Sequence, residues 1–417
     1  MSSHDRLRDA LRNRADQLGH TSPLTLDDVK GRARGIRRRR VAVSVLAAAA
    51  IVAVAVPAGV AVTGEAGGRP DSGPAASGTP TPSPSRTPDS SPSPRAPYEV
   101  SLTTVTEGHG GEPQVPYIFH GVINRPDGST VPVHADYVDL APLGDGWAAT
   151  RKDDQGNAFV DVLSADGVVT GSYASTGSLA VSADGTVVSY ATPDGRLMVL
   201  TPGSAPRPLV DPSALPGGPL TPVAVNGSGS CTENAANGGC TVLLDGSDGS
   251  GGAPGAYSAS GDGTVTKLPQ LRTVGGLSPD GAVSGTVSFT DSGSCSAVLE
   301  QDGTTAWKTC DYTLSSFSPD GRYVVGRPAY IDGFGDPSIA ILDARTGAPL
   351  AVYRNSSDHQ ASVYDFTWDR DETVLASLYE GGSWSFMRMS ADGQLTTLVG
   401  GLDDPQEHPP VVLTTRP

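Results

Sequence analysis

The sequence predicts an all-β domain, a β-propeller, carried on a membrane tether. Three observations predict it. Beyond about residue 98 the chain is made of short Val, Leu, Tyr and Thr runs broken by Asp-Gly and Gly-Ser turns, with no helix-length amphipathic segment. An apolar strand followed by a turn, Gly-containing at all but the last, recurs at Asp145, Asp184, Asn226, Asp280, Asp320 and Asp371, at intervals of 39, 42, 54, 40 and 51 residues. Ahead of that region, a long apolar run and a Pro-rich stretch separate the domain from a basic amino terminus.

The run VAVSVLAAAAIVAVAVPAGVAV, residues 41–62, follows Arg37 to Arg40 and contains one polar side chain, Ser44. A helix of about 20 such residues spans the hydrocarbon of a bilayer, and flanking arginines stay cytoplasmic. The expectation is an uncleaved single-pass anchor, with residues 1–40 inside and the rest outside; a signal peptide cleaved near Ala61 is the competing reading. Residues 1–40 hold 11 basic and 5 acidic side chains, against 18 and 40 in the remainder of the chain. An outer domain so acidic excludes nucleic acid as its partner, because duplex binding needs a basic footprint.

Within residues 1–40, SHDRLRDALRNRADQLG and LTLDDVKGRARGIRRRR read as helices, the second capped by Thr25 with Asp27 and Asp28 in its first turn. They suit a juxtamembrane helix lying on headgroups or a docking helix for a cytoplasmic regulator. Residues 63–97 are nearly all Gly, Pro, Ser, Thr and Ala, with nothing to bury, and read as a disordered linker. About 34 residues at up to ~3.1 Å each would hold the domain on the order of 100 Å from the membrane.

In the outer domain, 98–417, four antiparallel strands with their turns need about 40 residues, one propeller blade. The two long intervals contain GSDGSGGAPG (246–255) and AYIDGFGDPS (329–338), insertions on strand-to-strand loops. Six blades are countable in this way. A seventh is assembled from YEVSLTTV (98–105), VPYIFHGVI (115–123), STVPVHADY (129–137) and the carboxy-terminal PVVLTTR (410–416). Seven blades are expected, with six or eight as the neighbouring counts. Joining both chain ends in one sheet removes the exposed edges.

Ser278-Pro279-Asp280-Gly281 and Ser318-Pro319-Asp320-Gly321, with Ser182-Ala183-Asp184-Gly185, resemble the WSPDG signature of the TolB and WD40-like (PD40) propeller repeats over roughly 145–403. Leu277 and Phe317 stand where that signature has Trp, and no Gly-His/Trp-Asp pair marks a WD40 blade. The resemblance implies the propeller fold; function it leaves to the site. It also implies that loops joining second to third strands open on the ligand-bearing side. Those loops are taken as 152–157, the Cys231 to Cys240 loop, 290–294, 329–336 and 380–383. They collect Asp153, Asp154, Asp291, Asp332, Asp336 and Glu380, with Tyr330 and Phe334 as aromatic anchors.

All four cysteines lie beyond the apolar run, where disulfides persist. Around Asp302-Gly303, a two-residue hairpin sets Cys295 opposite Cys310. Cys231 and Cys240 bracket a polar loop that a second bridge would staple. No catalytic motif is present: neither a G-x-S-x-G elbow, nor a phosphate loop, nor a histidine in a metal or triad pattern. No cofactor is expected; Asp245 and Asp248 resemble a calcium loop but lack its terminal Glu. The expectation is a non-enzymatic extracytoplasmic module binding a protein, peptide or envelope component. The alternative is a hydrolase or lyase with carboxylates in the central channel, which need no local spacing. A channel lined by carboxylates and His would mark the enzyme, and one lined by small or apolar groups the binding module.

Overall fold

The computed structural model describes residues 96–103, 111–229, 231–247, 254–331, 335–355, 361–402 and 409–415. The helices expected in 1–40, the transmembrane helix at 41–62, the linker up to residue 95, and Asp332 and Phe334 lie outside these residues. Among the described residues no helix is long and apolar enough to cross a membrane.

The Asp-Gly turns fold each stretch of about 40 residues back on itself, and the result is seven antiparallel sheets arranged as a ring. Strand β1 (Tyr98–Ser101) comes first, followed by β2 (Tyr117–Phe119), β3 (Val122–Asn124) and β4 (Thr130–Pro132) of blade 1. Blade 2 is β5 (Tyr137–Leu143), β6 (Gly146–Lys152), β7 (Ala158–Leu163) and β8 (Val169–Ser175). Blade 3 is β9 (Leu179–Val181), β10 (Val188–Ala191), β11 (Leu197–Leu200) and β12 (Arg207–Pro208). Blade 4 is β13 (Thr221–Gly227), β14 (Cys240–Ser247), β15 (Pro254–Ser260) and β16 (Val265–Leu268). Blade 5 is β17 (Thr273–Leu277), β18 (Val283–Thr290), β19 (Gly293–Leu299) and β20 (Thr305–Thr309). Blade 6 is β21 (Tyr312–Phe317), β22 (Tyr323–Pro328), β23 (Ser338–Asp343) and β24 (Pro349–Arg354). Blade 7 is β25 (Ala361–Trp368), β26 (Val374–Glu380), β27 (Ser383–Met389) and β28 (Leu395–Leu402), and β29 (Val411–Leu413) returns to blade 1.

Each sheet is sandwiched between two others, so its strands are apolar on both faces: Leu179 to Val181 and Val188 to Ala191 are buried throughout. Seven apolar clusters fill the seven gaps between blades. The one between blades 6 and 7, for example, is built on Ile339, Ile341, Tyr353, Trp368 and Met387. The gap between blades 7 and 1 is filled by Val115, Leu375, Phe386, Val411 and Leu413. Strand β29 pairs antiparallel with β2, Tyr117 facing Leu413, so the two ends of the domain share one sheet, as the sequence predicts.

The membership of that closing blade differs from expectation. Residues 98–101 do not join it; they add parallel to β24 at the outer edge of blade 6, Tyr98 facing Ala351, with Arg354 Nε 2.8 Å from Glu99. Residues 115–123 are two strands, broken by His120 and Gly121 at positive φ. A period-2 pattern specifies a strand but not its partner, and the free edge of β24 captures the first one. The chain then crosses blade 7, where Arg388 donates to the Gly111 and Glu112 carbonyls and to the buried Asp369 at 2.8 Å. Asp369 also accepts from the Gln114 N–H.

The repeat turns obey the physics expected of them. Ser182, Ser278 and Ser318 are buried, and each donates to the Asp two residues on while accepting backbone N–H groups four or five residues on. Gly321 takes φ +74, and a Cβ there would lie 3.3 Å from Pro279 of the neighbouring turn, so glycine serves both the conformation and the packing.

Both disulfides form, Cys231–Cys240 and Cys295–Cys310, with Cα separations of 4.7 and 4.0 Å. The second arises differently from the expected hairpin. The turn closes as Gly303 N–H to Glu300 O with Glu300 bonded to Thr304, one residue out of the two-residue register, and a bulge between Val298 and Leu299 restores it. Ser296 therefore faces Thr309, and the cysteines meet beyond them. Replacing Cys295 and Cys310 together by Ser should cost roughly 3 kcal/mol in the chain-entropy view of a 15-residue loop. Calorimetry should show a clear drop in Tm; an unchanged Tm would contradict this. Asp369→Ala leaves the largely buried Arg388 guanidinium without its counter-charge, with only the Gly111 and Glu112 carbonyls to accept from it, and should cost about 3 kcal/mol, read from denaturant midpoints.

Candidate functional site

Innermost strands start at one end of the ring, where the second-to-third strand loops also lie, and run toward the repeat turns at the other. Five of them carry an irregularity just inside their starting end. The extra residues are Val138, Val223, Gly275, Ser315 with Ser316, and Tyr364. A bulge re-aims the side chains beside it, and here it turns them toward the channel. The channel opens at this loop side into a cavity of about 520 Å³ that all of these residues line.

Two carboxyl groups follow two of the bulges: Asp139 in blade 2 and Asp365 in blade 7, on either side of the closing blade. Asp139 accepts from the Leu140 N–H at 2.8 Å and from Thr415 Oγ1; Asp365 accepts from the Phe366 N–H at 2.9 Å. The carboxy-terminal strand holds the space between them, Thr415 N–H bonding Leu140 O at 2.7 Å and Thr367 Oγ1 donating to Thr414 O. Both acids keep part of their surface on the channel but sit deep in protein mass. Burial above all, with the charge of Asp365 added to it, pushes Asp139 up to about 7 against hydrogen bonds from Thr415, Leu140 and Leu179. Burial likewise pushes Asp365 to about 6, opposed by the N–H groups of Phe366 and Leu413. Across the strand from each stands a buried hydroxyl, Thr150 and Ser377, neither with a hydrogen-bond partner among the described residues. Directly paired residues bring Cβ atoms within about 5 Å, so each carboxyl has a second hydrogen-bonding group nearby on the same sheet face.

Other features complete the mouth. Arg327 of β22 lines it and holds Asp336 at 2.5 and 3.1 Å through a bidentate fork. Asp336, which is buried, also pairs through its backbone with Val363 of β25, so the stretch leading into β23 is stitched to blade 7 beside the carboxyl pair. Tyr364 lines the cavity and packs edge-on against Trp384 at 4.8 Å.

The residues expected to form a ligand face are distributed as follows. Asp153, Asp154, Asp291, Tyr330, Asp336 and Glu380 lie on second-to-third strand loops or their edges, on the same side as the cavity. Asp153 is occupied by the Gln155 and Asn157 N–H groups of its own turn, and hydrogen bonding lowers its pKa, the Asn157 side chain contributing most. Asp336 is consumed by Arg327, so the face carries a cation as well as acids. The Cys231 to Cys240 loop joins the first and second strands of blade 4 and so stands at the opposite end, with the repeat turns. Asp245 is half-buried in β14 and accepts from the Val274 N–H at 2.7 Å, an inter-blade contact. Among the described residues, no three His, Cys, Asp or Glu side chains are grouped to hold a metal.

Asp139, Asp365, Arg327 and Tyr364 were not legible as a site. One signal was available: Asp139 and Asp365 each stand six residues ahead of the turn aspartate of their own repeat, Asp145 and Asp371.

These features define a seven-bladed β-propeller. No protein-family model and no curated protein matches the chain. Among solved structures it is similar to the Cps50 (Swd1) β-propeller domain of Myceliophteria thermophila, with TM-score 0.46 and 12% identity over 70% of this chain and 91% of that one. It is also similar to puromycin hydrolase (TM-score 0.43, 16% identity, 63% of this chain and 47% of that one). A third is the acylaminoacyl peptidase of Pyrococcus horikoshii (TM-score 0.43, 12% identity, 64% and 46%). The chain thus spans about half the length of those two enzymes. This is a likeness of fold. With a carboxyl pair where a small or apolar lining was required, the expectation of a non-enzymatic module is corrected. Their shared offset from the turn aspartates is the one trace of the pair in the sequence, because the two acids come from different repeats.

The raised carboxyls give a pH dependence. A carboxyl whose folded pKa lies above its unfolded value stabilises the fold below about pH 4, and that contribution is lost as pH rises through 6 and 7. Asp139→Asn should therefore be more stable than the wild type at pH 8, by about 1–2 kcal/mol once channel water is allowed for, and little different at pH 4. Denaturant midpoints at the two pH values check this; a variant less stable at pH 8 would contradict it.

Proposed function

We propose that the chain is an enzyme whose channel performs acid–base chemistry, a hydrolysis or elimination, with Asp139 and Asp365 as the proton-transferring pair. The observation that carries this is two carboxyls from separate blades lining one cavity with pKa values of about 7 and 6. Near neutral pH, Asp139 is the acid and Asp365 the base, a division of roles that separated pKa values make available. Arg327 and Tyr364 at the rim supply a charged and an aromatic surface for a polar substrate. A linear envelope polymer, peptide or wall glycan, suits a site reached through a channel mouth.

The same reading places the domain outside a cell membrane, held by residues 41–62 and the linker to residue 97, with residues 1–40 inside. The two disulfides support an oxidising compartment. The Ser-Pro-Asp-Gly turns support kinship with TolB and PD40 repeats.

The test is cleavage of short peptides and wall-glycan fragments by the full chain across pH 4–9. Activity should trace a bell between about pH 6 and 7, and Asp139→Asn and Asp365→Asn should each lower kcat by roughly 10²–10⁴-fold while remaining folded. Cleavage that survives both substitutions, or none in either substrate class, would refute the proposal.

A further inference from the structure

The turn-side end of the channel opens into a second cavity, of about 410 Å³, lined by repeat turns and by Pro142, Pro279, Pro319 and Trp368. Two charged side chains reach it, Asp184 and Arg370. Asp184 is held within its own turn by Ser182 Oγ at 2.6 Å and by the Thr186 N–H and hydroxyl. Arg370 is different. The acids beside it in sequence are all engaged elsewhere: Asp369 with Arg388, Asp371 with Thr373, Glu372 with Arg322. Among the described residues no hydrogen bond or ion pair holds the Arg370 guanidinium. A fork of N–H donors beside low-polarity walls is thus left over at the mouth of a cavity, in a domain that is otherwise strongly acidic.

We infer that this mouth is a carboxylate-binding site, in which Arg370 takes the anionic end of a linear ligand lying along the channel. Planar bidentate pairing is the geometry a guanidinium offers a carboxylate. Thr414 and Thr415 line both cavities, so the ligand can extend from one toward the other. Arg370 follows Asp365 by five residues on the same innermost strand and its turn, roughly 15 Å along the channel. An extended chain of four or five residues matches that span. The position of the bond acted on rests on the carboxyl-pair reading; the carboxylate site does not.

The test uses the full chain and N-acetyl-tetra-alanine, as free acid and as carboxy-terminal amide, followed by titration calorimetry. The acid should bind about tenfold or more tighter than the amide, as one charge-assisted bidentate pair provides. R370Q should bring the acid down to the level of the amide, and R370K should keep part of the preference. D139N should leave the acid-to-amide ratio unchanged. Equal binding of acid and amide by the wild type, no binding of the acid, or an undiminished preference in R370Q would each overturn the site. Inorganic phosphate displacing the acid at equal concentration would overturn its assignment to carboxylate. If the R370Q result holds while D139N and D365N remain fully active on the substrate panel, the carboxyl-pair reading fails and the carboxylate site stands.

Discussion

Closure of the ring by β29 is the constraint on which the remaining structure depends. Blade 1 has only three short strands from the amino-terminal side, and its innermost position is filled by three residues from the other end of the chain. Without them, the apolar faces of Leu375 and Phe386 in blade 7 and of Leu140 and Trp147 in blade 2 would lose cover on that side. Fully burying a large apolar side chain contributes about 1.5–3 kcal/mol, so opening one of seven interfaces exposes more than the whole net stability of an ordinary domain. The closing strand also positions the site. Thr414 and Thr415 extend it between the two channel carboxyls, one bonding Asp139 and the other accepting from Thr367.

A closed ring forces every innermost strand to converge on the axis, and that geometry makes the channel chemistry. Bulges near the starting ends turn residues inward that a regular strand would send into a blade interface. Where the turned residue is followed by glycine or alanine, as in blades 5 and 4, nothing reactive results. Where it is followed by aspartate, a carboxyl is placed in a partly desolvated space. Such groups work against stability at neutral pH, and stability is commonly what sites with perturbed ionisation give up.

Much of the fold was legible because its signals are local. The Asp-Gly turns at 145, 184, 280 and 320 and the Asp-Glu turn at 371 each sit between the first and second strands of a blade, and the closing sheet was readable from the terminal apolar runs. Cys295 and Cys310 were paired correctly although the hairpin register differed, because a bulge compensated a one-residue offset. What failed was non-local. Strand β1 went to the edge of blade 6, since alternation does not name a partner. The Cys231 to Cys240 loop was placed at the wrong end by assigning it to the wrong strand pair. Asp139 and Asp365 are 226 residues apart in sequence and become neighbours in effect only when blades 2 and 7 flank blade 1. No motif could announce them, whereas the acidic loops around Asp153 and Asp336 were conspicuous yet are satisfied by their own turn or by Arg327.

The central claim, that the channel holds two interacting carboxyls tuned near neutrality, is tested most directly by following aspartate side-chain carboxyl ¹³C shifts of the full chain from pH 3 to 9. The account predicts two resonances titrating with midpoints of about 6 and 7, each removed by the corresponding Asn substitution, with the upper midpoint falling when Asp365 is neutralised. Midpoints for both residues in the ordinary carboxylate range near 4, or an Asp139 midpoint indifferent to Asp365→Asn, would contradict it.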